Sequence, residues 1–217
     1  MSVNGIFITF EGIDGSGKTT QLGLLAERLR AAGRAVTTAR EPGGTAAGDA
    51  IRRILLDSAT TGLTPTAELL LYFASRAQNV AEVIQPALER GEVVLCDRYV
   101  DASAAYQSSG RGLGLDVVYQ LEAIACRGIL PHLTFVLDIE PAAGLARAAG
   151  RNLDAVRGGG QNEARFEAES IEFFQRVRRG YLDIAGREPR RVLVIDADRA
   201  PEIVAEQIWH KVSRLLE

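Results

Sequence analysis

IFITFEGIDGSGKTTQLGLLAERLRAAG, residues 6–33, is the stretch from which the fold is read. Ile6 to Phe10 is a short apolar run of β-branched and aromatic residues, the pattern of a buried strand. A glycine-rich turn follows. Beyond it Leu22, Leu25, Ala26 and Leu29 recur at helical spacing, and Gly33 stands where a helix would stop. Within the turn, Gly12-Ile13-Asp14-Gly15-Ser16-Gly17-Lys18-Thr19 fits G-x-x-x-x-G-K-[ST]. A chance match in a chain of this length is on the order of 1% at ordinary residue frequencies. The strand before the match and the helix after it lower that further.

The spacing has a chemical reason. Glycines let the backbone turn sharply and bring successive N–H groups close to a phosphate. The helix beginning near Lys18 aims its positive end at the same anion. The Lys18 ammonium can reach the β- and γ-phosphates of a nucleoside triphosphate, and the Thr19 hydroxyl can ligate Mg²⁺. Such a site does not say what happens to the γ-phosphate.

Outward from this unit the alternation continues. Ala35 to Ala39 predicts a strand, 66–90 a long helix after Pro65, and Val93 to Cys96 a strand ending in Asp97. Residues 115–127 read as a helix stopping at Gly128. Leu133 to Leu137 reads as a strand ending in Asp138, and 166–185 as a charged amphipathic helix. Val192 to Ile195 is a strand ending in Asp196, and 201–216 a last helix. Apolar runs without polar alternation are covered on both faces, and strands alternating with helices predict a parallel sheet with ligands beyond the carboxyl ends of the strands. The one loose stretch is RNLDAVRGGGQNEAR, 151–165.

Composition sets the limits. The 217 residues are 47% hydrophobic and 24% charged, which excludes wholesale disorder and a coiled coil. The formal net charge of −3 argues against a partner that is a nucleic-acid polymer. The longest apolar run, Leu69 to Ala74, is six residues, far short of the roughly 20 of a membrane-spanning helix. No secretory signal is visible at the start of the chain. Cys96 and Cys126 lie in apolar contexts and read as buried free thiols of a reducing cytoplasm. A guanine-reading Asn-Lys-x-Asp or Thr-Lys-x-Asp motif and an ABC-type Leu-Ser-Gly-Gly-Gln motif are absent from the sequence.

Other residues point to an acceptor site. Asp97-Arg98-Tyr99 puts an aspartate and an arginine at a strand tip beside the phosphate loop. There they can orient a metal-bound water and grip an incoming phosphate, or simply pair with each other. Tyr72, Arg76 and Asn79 share one helical face. They can hold a base, or Tyr72 and Phe73 can belong to the core. Ser103, Tyr106 and Gln107 fall three and four apart and, if helical, face one cavity; otherwise they form a polar turn. The loop Arg40-Glu41-Pro42-Gly43-Gly44-Thr45 follows the second strand at the ligand edge.

FEGIDGSGKTT, REPGGT, LLLYFASRAQ, DRY, AYQSSGRGL, LDIEP and RFEAES-EFFQRVRRGYL occur in this order and together resemble the bacterial thymidylate kinase family, over roughly residues 5–197. The resemblance implies a single α/β domain over 1–217, a three-layer, doubly wound sheet of five parallel strands flanked by helices, of the P-loop type with a mobile lid near 147–166. It implies a cytoplasmic homodimer that moves the γ-phosphate of ATP to dTMP with Mg²⁺, with no membrane partner. It places ATP on Gly12 to Thr20 and Arg147, and the metal on Thr19, Asp97 and Asp14. For dTMP it implies Tyr72 stacked on thymine, Arg76 on its carbonyl, Ser103 and Gln107 at the base edge, and Tyr106 against the deoxyribose. Asp14 would lie near the sugar 3′-hydroxyl, Arg98 on the phosphate and Pro42 beside the base, with Glu41 and Phe73 in the same pocket. Lys18, Asp14 and Arg98 are the expected catalytic groups. In that family a further catalytic arginine lies either in the phosphate loop or in the lid; with no basic residue between Gly12 and Gly17, the resemblance implies the lid class. Arg147, Arg151, Arg157 and Arg165 are the candidates, with Arg151 the first choice and Arg165 the second. The family's compact Asp-Arg-x-Glu lid ending is here Ala164-Arg165-Phe166-Glu167, after a lengthened DAVRGGGQNE.

Overall fold

The computed structural model describes residues 5–157 and 165–216, the side chains of 151–157 and 167 excepted. Five strands form one sheet: β1 (Ile6–Glu11), β2 (Val36–Arg40), β3 (Val93–Asp97), β4 (Leu133–Asp138) and β5 (Val192–Asp196). All neighbours are parallel and the order is β2-β3-β1-β4-β5, so the strand carrying the glycine-rich turn is central. Phe7, Ile8, Thr9, Phe10 and Glu11 are all fully buried. Successive strand side chains point to opposite faces, so both faces of β1 are covered and the domain has three layers.

The helices are α1 (Lys18–Ala31), α2 (Ala46–Leu56), α3 (Pro65–Asn79), α4 (Gln85–Glu89), α5 (Val100–Ser103), α6 (Leu115–Ala125), α7 (Pro141–Arg157), α8 (Ile171–Arg187) and α9 (Pro201–Leu215). The helix expected over 66–90 is continuous in direction but not in type. A π-helical turn, Val80–Ile84, joins α3 to α4, and Pro86 falls just after it in the first turn of α4. Residues 101–110 are helical, α5 running into a second π-helical turn, Ala104–Gly110, so the polar-turn reading of this segment fails.

Two further expectations are corrected, and one helix for which no range was expected is added. Helix α2 follows the REPGGT loop directly, started by Thr45, whose hydroxyl accepts from the Gly48 amide at 3.0 Å. The stretch read as loose from 151 is helical through Arg157 as the end of α7. The helix expected from 166 is a 3₁₀ turn, Arg165–Ala168, and then α8, because Ser170 caps α8 by accepting from the Phe173 amide at 3.3 Å.

Candidate active site

A cleft of about 860 Å³ opens at the carboxyl ends of β1, β2 and β3, lined on one side by the phosphate loop and on the other by α3, α5 and the turn after it. On the loop side Gly12, Gly15 and Gly17 have φ of 128°, 77° and 92°. A Cβ on Gly15 would lie 1.9 Å from the Gly144 carbonyl of α7, so only glycine fits there. The first-turn amides of α1 have no intrahelical acceptor. Lys18 is folded back, donating to the carbonyls of Gly12 at 3.1 Å and Ile13 at 2.8 Å. Burial first, and then the nearby Arg98 charge, depress its pKa to about 8. Thr19 donates to Asp97 at 2.8 Å, which joins the loop to the tip of β3. The other two strand-tip aspartates are taken by neighbouring arginines: Asp138 by Arg178 at 2.7 and 2.9 Å, and Asp196 by Arg199 at 2.9 Å.

The loop's other members divide by position. Asp14, Gly15, Gly17, Lys18, Thr19 and Thr20 line the cleft. Ile13 is core, and Ser16 is buried within the loop. Arg147 points to the segment after β5, donating to Asp198 at 3.0 Å and the Ala197 carbonyl at 3.4 Å. It is not among the cleft's lining residues.

Arg98 is the centre of the opposite wall. Its backbone is left-handed, φ 70°, an uncommon state for a residue with a side chain. The guanidinium donates to the Gly12 carbonyl at 3.0 Å, Asp14 at 2.7 Å, the Tyr106 hydroxyl at 3.2 Å and the Tyr181 hydroxyl at 3.3 Å. Behind it lies Glu11, fully buried at the end of β1. Glu11 accepts from the Tyr99 amide at 2.7 Å and the Tyr181 hydroxyl at 2.9 Å, so it fixes the residue after Arg98 and one of Arg98's partners. Burial, with Asp101 adding to it, raises the Glu11 pKa to about 8.

Tyr72, Pro42, Glu41, Ser103, Tyr106 and Gln107 all line the same cleft. Arg76 and Phe73 do not. Arg76 is 1% exposed and stands behind the wall, its Nε on Glu41 at 2.6 Å, with further bonds to Ser103 Oγ at 3.1 Å and the Tyr99 carbonyl at 2.8 Å. Phe73 lies under its guanidinium, 4.5 Å from ring centre to Cζ. Asn79 is buried beside them and donates to Glu41 at 3.3 Å. Arg76 thus supports the pocket wall from behind, its guanidinium engaged by Glu41, Ser103 and the Tyr99 carbonyl. Arg165, expected in the lid, is likewise engaged: it donates to Glu68 at 2.7 Å and to the Leu55 carbonyl. The Arg151 and Arg157 side chains lie outside those described.

The sequence reading passed over Glu11, Tyr181, Glu68 and Phe166, the last of which lines the cleft and meets Tyr106 edge-on at 5.4 Å. For Glu11 and Glu68 a signal was present: each is a carboxylate directly beside an apolar run, Ile6 to Phe10 and Leu69 to Ala74. No helix is long and apolar enough to cross a membrane, among the described residues.

A family profile described as thymidylate kinase matches residues 10–208. Thymidylate kinase of Solidesulfovibrio magneticus is 53% identical over 97% of this chain and 100% of its own length. That of Deinococcus radiodurans is 53% identical over 96% of this chain and 97% of its own. The crystal structure of thymidylate kinase from Ehrlichia chaffeensis superposes with a TM-score of 0.75 at 33% identity, over 96% of this chain and 98% of that one. A parallel sheet with a phosphate loop at its centre, an arginine-lined acceptor wall and these full-length likenesses lead to one statement: the chain belongs to the thymidylate kinase family.

Proposed function

We propose that this cleft transfers the γ-phosphoryl group of ATP to dTMP, giving ADP and dTDP. One observation carries the reading. Lys18 from the phosphate loop and Arg98 from the opposite wall both donate to the Gly12 carbonyl, at 3.1 and 3.0 Å. The cation for the donor nucleotide and the cation for the acceptor phosphate therefore meet at one strand tip, where two polyanions would be brought tail to tail.

The acceptor is itself a phosphate, with a second pKa of about 6, so at neutral pH it is already mostly a dianion. No general base is needed to make the nucleophile. The difficulty is to bring the two anions into line and keep water away. Lys18 holds the β- and γ-phosphates and Arg98 holds the acceptor phosphate. Asp14, ion-paired to Arg98 at 2.7 Å, fixes that guanidinium and faces the sugar. Tyr72 and Pro42 border the base, and Ser103, Tyr106 and Gln107 address its edge and the sugar. Arg151 is the lid arginine we assign to the transferring group, with Arg165 serving as an anchor. Comparing Arg151→Ala with Arg157→Ala identifies it: the catalytic one loses kcat at unchanged KM for dTMP.

The donor set suits Mg²⁺, which binds proteins through one or two hard oxygens and completes its shell with phosphate and water. The Thr19 hydroxyl and Asp97 would hold it, with Asp14 nearby. Its contribution when bound is neutralisation of charge on the β- and γ-oxygens.

Apolar side chains are left exposed on packed neighbours, Ile54 of α2, Leu70 of α3, and Val117 and Ile124 of α6, the last 75% exposed. This supports a homodimer through that face, to be checked by sedimentation of the wild type against Ile124→Glu. The buried free thiols Cys96 and Cys126 and ATP as donor support a cytoplasmic location, to be checked by cell fractionation.

The deciding experiment is a coupled assay of ADP formation with dTMP, dUMP, CMP, AMP, shikimate and thymidine offered in turn. Acceptor-dependent ADP formation should be highest with dTMP. Slow ATP hydrolysis that no acceptor stimulates would mark a nucleotide-binding switch and end this reading.

A further inference from the structure

Glu68 stands on α3 as a carboxylate beside an apolar run, 1% exposed. Four donated bonds converge on it. Its Oε1 accepts from Gln107 Nε2 at 2.9 Å and from Arg111 Nε at 3.2 Å. Its Oε2 accepts from Arg111 at 3.1 Å and Arg165 at 2.7 Å. Burial alone would raise its pKa, but hydrogen bonds from Arg111, Gln107 and Arg165 outweigh it and hold the carboxyl below its ordinary value. Glu68 is thus ionised and can only accept.

That fixes a choice left open in most amides. The nitrogen and oxygen of a glutamine side chain are distinguished by their partners alone. An acceptor-only neighbour takes the Gln107 –NH₂, which leaves the carbonyl oxygen as the amide's other group. Gln107 lines the cleft where the acceptor base would lie. A carbonyl oxygen there accepts from a pyrimidine with N–H at N3, as thymine and uracil have. Cytosine presents a lone pair at N3 instead, and two acceptors would face each other.

We propose that Glu68 is a specificity-determining positioning residue: by holding the Gln107 amide in one orientation it selects acceptor bases that carry a proton at N3 and rejects those that do not. The inference deepens the acceptor-site reading above and rests on it. Arg111 and Arg165 complete the device. They occupy the remaining lone pairs of Glu68, and Arg111 is itself held by Glu169 at 2.6 Å.

Glu68→Gln tests this with little change of shape. Two arginine donors meet at the Oε2 position and only one, Arg111 Nε, at the Oε1 position, so the new carbonyl oxygen takes the Oε2 place, the new –NH₂ faces Gln107, and the Gln107 amide must turn over. Dissociation constants for dTMP and dCMP, measured by calorimetry without ATP, give the readout. In the wild type dTMP should bind more tightly than dCMP, and in Glu68→Gln that ratio should fall by about 10-fold or more. A merely structural role would weaken both ligands alike and leave the ratio unchanged, and an unchanged ratio overturns the inference. Glu68→Asp keeps an acceptor-only group and should keep the preference, and it decides the matter if Glu68→Gln does not fold. A folded Glu68→Asp that has lost the preference overturns the inference as well. So does a wild type that binds both nucleotides equally. A wild type that binds neither overturns the acceptor-site reading together with this one.

Discussion

The phosphate loop and the acceptor wall both hold an anion, but with different materials. The loop is one contiguous segment, residues 12–19, whose conformation comes from three left-handed glycines and whose donors are backbone amides with one lysine. The wall is assembled from α3, α5 and the turn after it, α8 and the strand tips, and its donors are side chains held by other side chains. The first can be altered at few positions without loss. The second is a set of coupled pairs, in which one change leaves a partner unsatisfied.

The contrast can be broken at its strongest point first. Lys18→Ala removes the loop's only side-chain cation and should lower kcat by about 10³-fold or more while leaving dTMP affinity nearly intact. Near-normal turnover in that variant would mean the loop does not handle the transferred group. On the wall side, Arg98→Ala removes four bonds at once and should cost about 100-fold in kcat/KM for dTMP, mostly through KM. If KM for ATP rose instead, the two regions would have been assigned the wrong way round.

The third test lies in the layer behind Arg98. Between pH of about 4.5 and 8 the folded protein keeps a proton on Glu11 that the unfolded chain releases. The folded state then binds more protons than the unfolded one, so stability falls as pH rises through that window. Glu11→Gln is neutral throughout and loses this slope. Thermal melts at pH 5 and pH 8 should therefore drop less with pH in the variant, and parallel drops would contradict the buried, protonated Glu11. The smallest effect is on Lys18. With its pKa near 8 in the empty site, phosphates that restore its charge should draw in roughly half a proton when ATP binds at pH 8. Calorimetry in two buffers of different ionisation heat measures it, and equal heats would rule it out.

The same contrast explains what could be read from the sequence. The strand, turn and helix of residues 6–33 are local, and four of the five strands announce themselves as apolar runs, while β2 shows only as the short β-branched stretch Val36-Thr37-Thr38. The five-strand parallel sheet follows from those runs. Local signals were passed over in α2, where Ile51, Ile54 and Leu55 do recur at helical spacing, and were ambiguous where a π-helical turn carries polar residues, as at Ala104–Gly110. In the wall, residue types were legible but their layering was not. Tyr72 and Arg76 share a helical face by spacing, yet one lines the cleft and the other lies behind it. The difference is made by Glu41 on another element, 35 residues away in sequence. Glu68 was missed for the same reason: its partners lie on the 107–111 turn and at Arg165.

The meeting of Gly15 with Gly144 has a mechanical consequence. Neither residue tolerates a β-carbon, since one on Gly144 would stand 2.8 Å from the Asp14 carbonyl, and the two backbones touch with no side chain between them. Such a contact works as a bearing without a shim. The strap around the phosphates therefore keys directly onto the backbone of the long arm that begins at Pro141, and a bulkier residue at either point would push the two apart.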